Sequence, residues 1–322
     1  MAGTRIFLAG GSGMVGRAIL SRLALHAPGT KCRASVFSQE DFPLSEGMEL
    51  VRGDLRSSEV CSSLCRGCEI AIVAAATTGG IAQNKSEPWR QVNDNLFLNA
   101  QLLEAFHREG IRRVIMIGTA TCYQPFDGLI KEDGLDWSQD PHHHYMGVGW
   151  VSRFLEKLCQ FWHQKTGIET IFVRAANVFG PFAKFDPATS NFIPALIRKA
   201  ESKPEELKVW GSAAVKRDVI YVDDFADAIL ALLAADNIRH DIFNLGTSSA
   251  TTVGEVVDVI LQKAGMDARS VSYDETETAV PNRILDCTRL REATDWYPTW
   301  QTKDAIHATF DWWVENKNRW KR

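Results

Sequence analysis

A glycine-rich turn near the start of the chain carries the clearest chemical signal. Gly10, Gly13 and Gly16 follow the apolar run Ile6–Ala9 and lead into a pattern of helical period. Such glycines allow a tight turn, let the backbone approach a pyrophosphate and let the helix pack on the strand. The helix N-terminus then offers free N–H groups and the positive end of its dipole to phosphates. The turn therefore predicts a site for NAD or NADP.

A run of histidines could move protons. His142, His143 and His144 stand directly before Tyr145. Imidazole titrates near neutral pH, so it can serve as an acid or a base, and it can also bind a metal. More often such a run is a solvated loop. We keep His144 and Tyr145 as candidates for proton transfer and predict no metal site.

Three cysteines have the spacing of a radical-SAM iron–sulfur site. Cys61, Cys65 and Cys68 follow the C-x3-C-x2-C pattern. They lie between Asp54-Leu55 and the strand predicted at Ile70–Ala75, where a helix should cross the sheet. We therefore interpret them as small residues on a helix and its exit turn. The odd total of seven cysteines also argues against a disulfide scaffold.

Composition excludes several function classes. The 322 residues are 45% hydrophobic and 24% charged, as in ordinary globular proteins, and the net charge is −4. This charge provides no basic field for nucleic acid or anionic membranes. We find no signal peptide and no apolar run near the roughly 18 residues of a membrane span. The expectation is a cytoplasmic protein without nucleic-acid or membrane partners.

Apolar runs alternate with helical patterns along the chain, and they indicate the strands and helices that position these residues. They predict an α/β fold, a Rossmann doubly wound parallel sheet over 1–177, with a smaller C-terminal α/β substrate domain over 178–322 and a cleft between them. The predicted strands of the first part are Arg5–Ala9, Cys32–Phe37, Glu49–Arg52, Ile70–Ala75, Arg113–Ile117 and Thr170–Arg174. Its predicted helices are Met14–Leu25, Pro88–Glu109 and Val148–Lys165.

The second part has shorter predicted elements. Its predicted helices are Ile193–Ala200, Val253–Ala264 and Lys303–Lys317, and its predicted strands are Leu207–Trp210, Asp218–Tyr221 and Ile242–Leu245. In the helix over 148–165, one apolar stripe suggests core or a dimer interface, and we expect a homodimer. That stripe contains Val151, Phe154, Leu155, Leu158 and Trp162.

Several further motifs resemble the extended short-chain dehydrogenase/reductase (NAD-dependent epimerase/dehydratase) family, whose members mostly modify nucleotide sugars. The resemblance covers nearly the whole chain. Its motifs are the glycine turn, Gly53-Asp54-Leu55-Arg56, Ala74-Ala75-Ala76, Asn95, Asn177-Val178-Phe179-Gly180-Pro181, Arg217-Asp218, Tyr221-Val222-Asp223-Asp224, Phe243-Asn244-Leu245-Gly246 and Leu285-Asp286. Within the family the chain is most similar to the GDP-fucose synthase branch, through Gly79-Gly80-Ile81 with Asn84, Ser190–Leu196 and Val209-Trp210-Gly211-Ser212.

The resemblance implies roles for individual residues. Asn191 would contact a nucleotide diphosphate, and Arg217 would contact its ribose or phosphate. Arg283 would contact another phosphate, by a looser alignment. A guanidinium suits anionic oxygens because it donates paired hydrogen bonds. Arg217 could instead form a surface ion pair with Asp218 or Asp223. The expected substrate contacts are Thr121, Asn177, Asn191, Arg217 and Arg283. The expected cofactor contacts are Gly10, Ser12, Gly13, Met14, Val15, Gly16, Asp54, Leu55, Ala74, Ala75, Ala76 and Asn95.

The second predicted strand leaves NAD and NADP undecided. An acidic residue at its end would bind the NAD ribose, and an arginine there would favour NADP. The strand ends instead in Ser38-Gln39, and the acidic residues Glu40 and Asp41 come slightly after the position that binds the ribose.

The family's catalytic pattern breaks in this chain. The family uses a Ser or Thr, a Tyr, and a Lys four residues after the Tyr, which lowers the Tyr pKa. Thr119 fits the first role. Four residues after Tyr145 stands Gly149, and in an ungapped register the Tyr and Lys positions hold Val148 and Ser152.

The epimerising Cys and His of the GDP-fucose synthase branch are also replaced, by Thr121 and Asn191, while Cys122 is one position away. That reaction is therefore not expected in its usual form. The leading hypothesis is an NAD(P)-dependent epimerase, reductase or dehydratase acting on a nucleotide sugar, possibly GDP-linked. Two alternatives stay open, a non-catalytic NAD(P)-binding sensor or partner subunit, and a non-redox reaction on the same scaffold.

Overall fold

A computed structural model describes residues 4–37, 42–78, 87–267, 271–274 and 282–320. Its helices are α1 (Met14–His26), α2 (Ser58–Cys65), α3 (Pro88–Arg108), α4 (Met146–Thr166), α5 (Phe192–Glu201), α6 (Val222–Ala234), α7 (Val253–Ala264), α8 (Thr288–Thr294) and α9 (Thr302–Asn316). Its strands are β1 (Arg5–Ala9), β2 (Lys31–Val36), β3 (Met48–Arg52), β4 (Ile70–Val73), β5 (Arg113–Thr119), β6 (Gly128–Ile130), β7 (Glu169–Ala175), β8 (Asn177–Phe179), β9 (Leu207–Trp210), β10 (Lys216–Arg217), β11 (Val219–Tyr221), β12 (His240–Leu245), β13 (Thr251–Thr252), β14 (Val271–Asp274) and β15 (Arg283–Leu285).

Seven parallel strands form the main sheet, in the order β12-β7-β5-β4-β1-β2-β3. Every residue of β4 and β7 is buried, as expected for strands covered on both faces. The strand order reverses between β1 and β4, so a crevice opens at their carboxyl ends. The predicted doubly wound Rossmann sheet is confirmed.

Two helical layers cover the sheet. On one face α1 packs against α6, and on the other α3 packs against α2 and α4. Buried aliphatic side chains such as Leu23 of α1 and Leu102 of α3 fill these layers, each stabilising the fold by roughly 1.5–3 kcal/mol. In the predicted stripe of α4, Val151, Leu155, Leu158 and Trp162 join the core, whereas Phe154 is exposed.

A smaller core lies among α5, α7 and α9. Beside it, the strands β13, β10, β15 and β6 form a second sheet, so the early strand β6 joins segments from the end of the chain. The placing of the strand Ile242–Leu245 in the smaller domain is wrong, because β12 extends the main sheet beside β7. α6 also belongs to the large layer, so the chain returns there after residue 178. The division at residue 177 itself stays a prediction.

The structure corrects some element boundaries and explains the cysteines. The strand predicted to reach Ala75 ends at Val73, and the helix predicted from Val148 begins at Met146. Cys61 and Cys65 lie on α2 with Cys68 after it; all three are free and buried in the core, and the interpretation as small helix positions is confirmed. Among the described residues, no helix is long and apolar enough to cross a membrane. Ser38, Gln39, Glu40, Asp41, Gly79, Gly80, Ile81 and Asn84 lie outside the described residues.

Candidate functional site

The predicted site residues gather at one edge of the main sheet. The turns after β1, β3 and β4 hold most of the expected cofactor contacts. The end of β5 and the segments after β5 and β7 hold Thr119, Thr121 and Asn177. In a parallel sheet the carboxyl ends of all strands meet at the same edge, and α/β proteins bind ligands there. The fold thus brings segments more than 150 residues apart to one cleft.

The glycine turn has the shape of a phosphate cradle. Gly10 adopts φ +89°, and a Cβ there would lie 2.7 Å from the Ala75 backbone, so the turn after β1 must approach the turn after β4 closely. A Cβ on Gly11 would lie 2.6 Å from the Ala34 Cβ, and one on Gly16 would collide with the Gly10 carbonyl. These three glycines are needed for the packing of the turn itself.

Gly13 is different. Its φ and ψ of −74° and 167° suit any residue, and among the described residues the nearest atom to a Cβ there would be the Gly10 carbonyl oxygen at an ordinary 3.5 Å. As the N-cap of α1 it offers no side chain to the first N–H groups of the helix, which include those of Met14 and Val15. A bare backbone facing open space at a helix N-terminus suits a pyrophosphate. The residues therefore fit a dinucleotide.

Other predicted cofactor contacts line the same crevice. The Arg56 guanidinium lies 2.7 Å from an Asp54 carboxylate oxygen and holds the pKa of Asp54 below its usual value. Arg56 also pairs with Asp94, which accepts a hydrogen bond from the Thr77 hydroxyl. The Asn95 amide bonds the backbone N–H and carbonyl of Thr77, at 2.9 Å each. Asn95 thus fixes the loop after β4. Ala74, Ala75 and Ala76 form the start of that loop, Ser12 is buried in the glycine turn, and Leu55 follows Asp54 at the crevice edge.

Thr119 ends β5 beside the cleft. Its hydroxyl oxygen accepts hydrogen bonds from the backbone N–H and the hydroxyl of Thr121, both at 3.2 Å. A small cavity opens next to these side chains and is also lined by Asn177 and Arg283. The two threonine hydroxyls therefore form a paired donor–acceptor group at the mouth of the sheet, and the predicted role of Thr119 toward the substrate oxygen stays a prediction.

Tyr145 is the N-cap of α4 and is half-buried. The three preceding imidazoles cluster, with their nearest ligand atoms within 4.8 Å of one another. His142 accepts a hydrogen bond from the His144 N–H, and burial, the other two imidazoles and then Arg283 and Arg217 lower its pKa. Since the guanidinium charges of Arg283 and Arg217 face the histidine cluster, the electrostatic field there favours an anion over a metal cation.

The structure explains why the family lysine is absent in either register. A Cβ on Gly149 would lie 2.6 Å from the Pro141 Cβ and 2.7 Å from the Thr121 carbonyl oxygen, so no side chain fits there. Ser152 is buried, and its hydroxyl contacts the backbone N–H of Thr119 at 3.3 Å. Position 152 therefore supports the end of β5, and neither position presents a cation to the cleft.

Arg217 and Arg283 stand side by side. They are paired residues of the neighbouring parallel strands β10 and β15. Burial and the charge of Arg283 lower the pKa of Arg217 to about 10, and burial also lowers the pKa of Arg283. Arg283 donates to the Ala120 carbonyl at 3.3 Å, directly after Thr119. The field of two partly desolvated cations favours an anionic group over a cationic one at this place in the cleft.

The remaining predicted substrate contacts flank this pair. Asn177 follows β7 and is exposed, although its amide donates to the Asp218 carbonyl at 2.8 Å. Asn191 is the exposed N-cap of α5, and no hydrogen bond joins its side chain to that helix. The Asp218 carboxylate accepts hydrogen bonds from Thr247, Ser248 and Leu285, so its position is structural and it does not pair with Arg217.

Comparison with known proteins gives the family. A model of the NAD dependent epimerase/dehydratase family matches residues 6–246. The chain belongs to the NAD-dependent epimerase/dehydratase family. A GDP-L-fucose synthase of Sinorhizobium fredii is 27% identical over 320 residues, spanning 98% of this chain and 96% of that protein. A GDP-mannose 3,5-epimerase of Oryza sativa subsp. japonica is 25% identical, spanning 96% of this chain and 81% of that protein.

Solved structures give the same fold. The UDP-glucose 4-epimerase of Thermotoga maritima, crystallised with UDP-glucose, matches with a TM-score of 0.85 at 20% identity, covering 98% of this chain and all of that one. The predictions of the epimerase/dehydratase family, of an enzyme and of NAD or NADP as its cofactor are confirmed. The roles of individual residues stay predictions.

Two contacts at the site had no signal that identified them in the sequence. The Lys184 ammonium donates to the Thr78 carbonyl at 2.5 Å, joining the loop after β8 to the loop after β4 across the crevice. The Arg283 guanidinium lies over the Tyr145 ring, with its central carbon 5.3 Å from the ring centroid. Both contacts join distant segments. For Arg283, the resemblance had indicated only a phosphate contact.

Proposed function

We propose that this epimerase/dehydratase acts on a nucleoside-diphosphate sugar, with a GDP-linked hexose as the first candidate. The observation that carries the proposal is the pair Arg217 and Arg283 beside Thr119. Two neighbouring cations repel each other, and both lose solvation in the cleft. A diphosphate would supply the negative charge that offsets both costs, while its sugar extends toward Thr119 and Tyr145. The GDP-linked relatives favour guanine as the base.

The neighbouring polar groups would complete the substrate site. Asn191, at the N-terminus of α5, would contact the diphosphate, and Asn177 and Thr121 would contact the sugar. Thr119 would hydrogen-bond the reacting oxygen of the sugar, because its hydroxyl lies at the end of β5 with Thr121 orienting it. Tyr145 or His144 would move the proton of that oxygen.

The cofactor would lie across the crevice between β1 and β4. Gly13 and the first N–H groups of α1 would hold its pyrophosphate, and Asp54 and Leu55 would lie beside its adenine. When bound, the nicotinamide supplies hydride transfer to or from the sugar. The residues of the chain position the sugar oxygen, exclude water and carry its proton.

A panel of nucleotide sugars tests this proposal. The purified protein, supplied with NAD or NADP in either redox state, is incubated with GDP-, UDP- and dTDP-linked hexoses and their 4-keto derivatives. Liquid chromatography with mass spectrometry should detect conversion of one of them, and Thr119→Ala should slow that conversion at least tenfold. Exposed Ser249→Ala is the matched control and should leave the rate unchanged. Lack of conversion and of binding across the whole panel would contradict the proposal.

We also propose a cytoplasmic homodimer. Helices α3 and α4 pack together yet leave large apolar side chains in solvent, including Phe97 at 59% and Phe154 at 51% exposure. An apolar surface of this kind suits an isologous contact with a second copy. All seven cysteines are free and buried, which suits a reducing compartment. Sedimentation at micromolar concentration should give twice the mass of one chain.

A further inference from the structure

The absence of the family lysine leaves a chemical requirement unmet. A tyrosine hydroxyl transfers its proton efficiently near neutral pH only when a nearby positive charge stabilises the phenolate. Gly149 leaves no room for a side chain, and Ser152 is buried against the end of β5. If Tyr145 is to act, the charge must come from another element of the fold.

Arg283 is in the right place to provide it. Its central carbon lies 5.3 Å from the Tyr145 ring centroid, and its guanidinium also interacts with the tyrosine hydroxyl. The donation to the Ala120 carbonyl at 3.3 Å ties the same guanidinium to the segment that carries Thr119. β15 pairs with both β10 and β6, so the backbone of Arg283 is held on both sides. The side chain thus bridges the candidate proton donor and the end of β5.

We propose that Arg283 replaces the family lysine as the positive charge beside Tyr145. The proposal rests on the proposed function, in which Tyr145 moves the proton of the sugar oxygen. In that step the O–H bond of Tyr145 breaks and an O–H bond forms on the sugar oxygen, or the reverse. The guanidinium keeps its own protons and stabilises the phenolate. Arg283 is then a positioning residue that acts through Tyr145.

The other groups around Tyr145 support this assignment. Arg217 and His142 also face Tyr145. The guanidinium of Arg217 is positive and the imidazole of His142 is neutral or positive, so neither group adds a negative charge beside the phenol. The buried Cys122 thiol lies near Arg283, but burial raises its pKa to about 12, so it stays neutral. In the ligand-free protein, Arg283 therefore keeps its charge available to the phenol.

The test measures the reactivity of the Tyr145 phenolate without any substrate. Tetranitromethane nitrates phenolates, and mass spectrometry of peptides gives the rate at each tyrosine. Arg283→Gln should slow nitration of Tyr145 about tenfold or more, since an opposite charge within about 4–6 Å favours the ionised form of a group. Arg283→Lys should restore most of the rate. Exposed Tyr297 serves as the internal control, and Arg66→Gln, which removes an exposed arginine paired with Glu109, as the control variant.

A second measurement covers the case in which Arg283→Gln does not fold. In nitrated Tyr297→Phe protein, the nitrophenol at position 145 should ionise at lower pH than free N-acetyl-3-nitrotyrosinamide, as its visible absorbance shows. Tyr297 is removed because the Arg291 guanidinium lies over its ring, 5.4 Å from the centroid. Equal ionisation would overturn the proposal.

Binding and turnover separate this proposal from the proposed function. Unchanged nitration in Arg283→Gln, together with a tenfold loss of GDP affinity, would make Arg283 a phosphate ligand only and would overturn the inference. Failure of the wild type to bind or convert any nucleotide sugar would instead contradict the proposed function, and the nitration result would still stand. With a converted sugar, the rate losses of Arg283→Gln and Tyr145→Phe should be strongly non-additive.

Discussion

Replacing Arg217 by Gln should stabilise the ligand-free protein and weaken nucleotide binding. In the folded protein the pKa of Arg217 is lowered to about 10, whereas a free guanidinium titrates above about 12. Holding this charge in the fold therefore costs at most about 3–4 kcal/mol, and partial solvent contact reduces the cost to about 1–3 kcal/mol. The gain from removing it should appear as greater stability at neutral pH.

The pH dependence has a definite sign. Because the folded pKa is lowered, the charged form is the unfavourable one in the folded state. The cost is fully present below about pH 10 and disappears as pH rises through that value toward the unfolded pKa. The stability difference between Arg217→Gln and the wild type should therefore be constant through neutral pH and shrink in strongly alkaline solution.

Thermal melting with and without GDP measures both effects. With about 2.1 cal/mol/K of unfolding entropy per residue, 1 kcal/mol corresponds to about 1.5 °C for this chain, so the free variant should melt about 2–4 °C higher. GDP at 100 times its Kd should stabilise the wild type by about 2.7 kcal/mol, or about 4 °C. The variant loses about 1.5–3 kcal/mol of binding, so the same GDP should raise its melting temperature by only about 0.5–2 °C.

Lys216→Gln is the matched control. Lys216 is exposed and adjacent on β10, so its loss should change neither the melting temperature nor the GDP response by more than about 1 °C. A lower melting temperature for Arg217→Gln together with an unchanged GDP response would refute the assignment of Arg217 to the diphosphate.

Three further changes test other parts of the site. Gly13→Asp should abolish NAD and NADP binding in calorimetry while folding survives, since a Cβ fits there but a carboxylate would repel the pyrophosphate. Ser249→Asp, at an exposed position, is the comparison, and undiminished binding in Gly13→Asp would contradict the cradle. Gly149→Lys and Ser152→Lys should restore no activity, because neither position has room for the side chain. Urea denaturation should show that each destabilises the fold by about 1–3 kcal/mol. Rescue of turnover by either variant would show that the family geometry is retained. Phe154→Glu should yield monomers in sedimentation, whereas Leu25→Glu, which changes an exposed residue of α1, should leave the dimer intact. If Phe154→Glu stays dimeric, the interface lies elsewhere.

The cofactor half of the site could be predicted from the sequence because its signals are local. The glycine turn, the strand before it and the helix after it are contiguous in the chain, and the geometry at Gly10 and Gly16 is what such a turn requires. The cysteines of α2 were interpretable for the same reason, since their neighbours already indicated a helix that crosses the sheet.

The substrate half depends on pairings between distant segments. β12 was expected in the smaller domain because no local pattern shows that it pairs with β7. The contact of Arg283 with Tyr145 joins positions 138 residues apart and depends on the register of β10 with β15. Gly149 illustrates a third limit, because its need for a bare backbone comes from Pro141 and Thr121, which fold back onto α4.

Mass spectrometry of the small molecules released when the purified protein is denatured tests the central claim most directly. A dinucleotide-dependent enzyme with the cradle at Gly10, Gly13 and Gly16 should release NAD or NADP, or should bind one of them in calorimetry when purified without it. Release of neither dinucleotide, with no binding at millimolar concentration, would contradict the claim that this cleft holds a nicotinamide cofactor beside a nucleotide sugar.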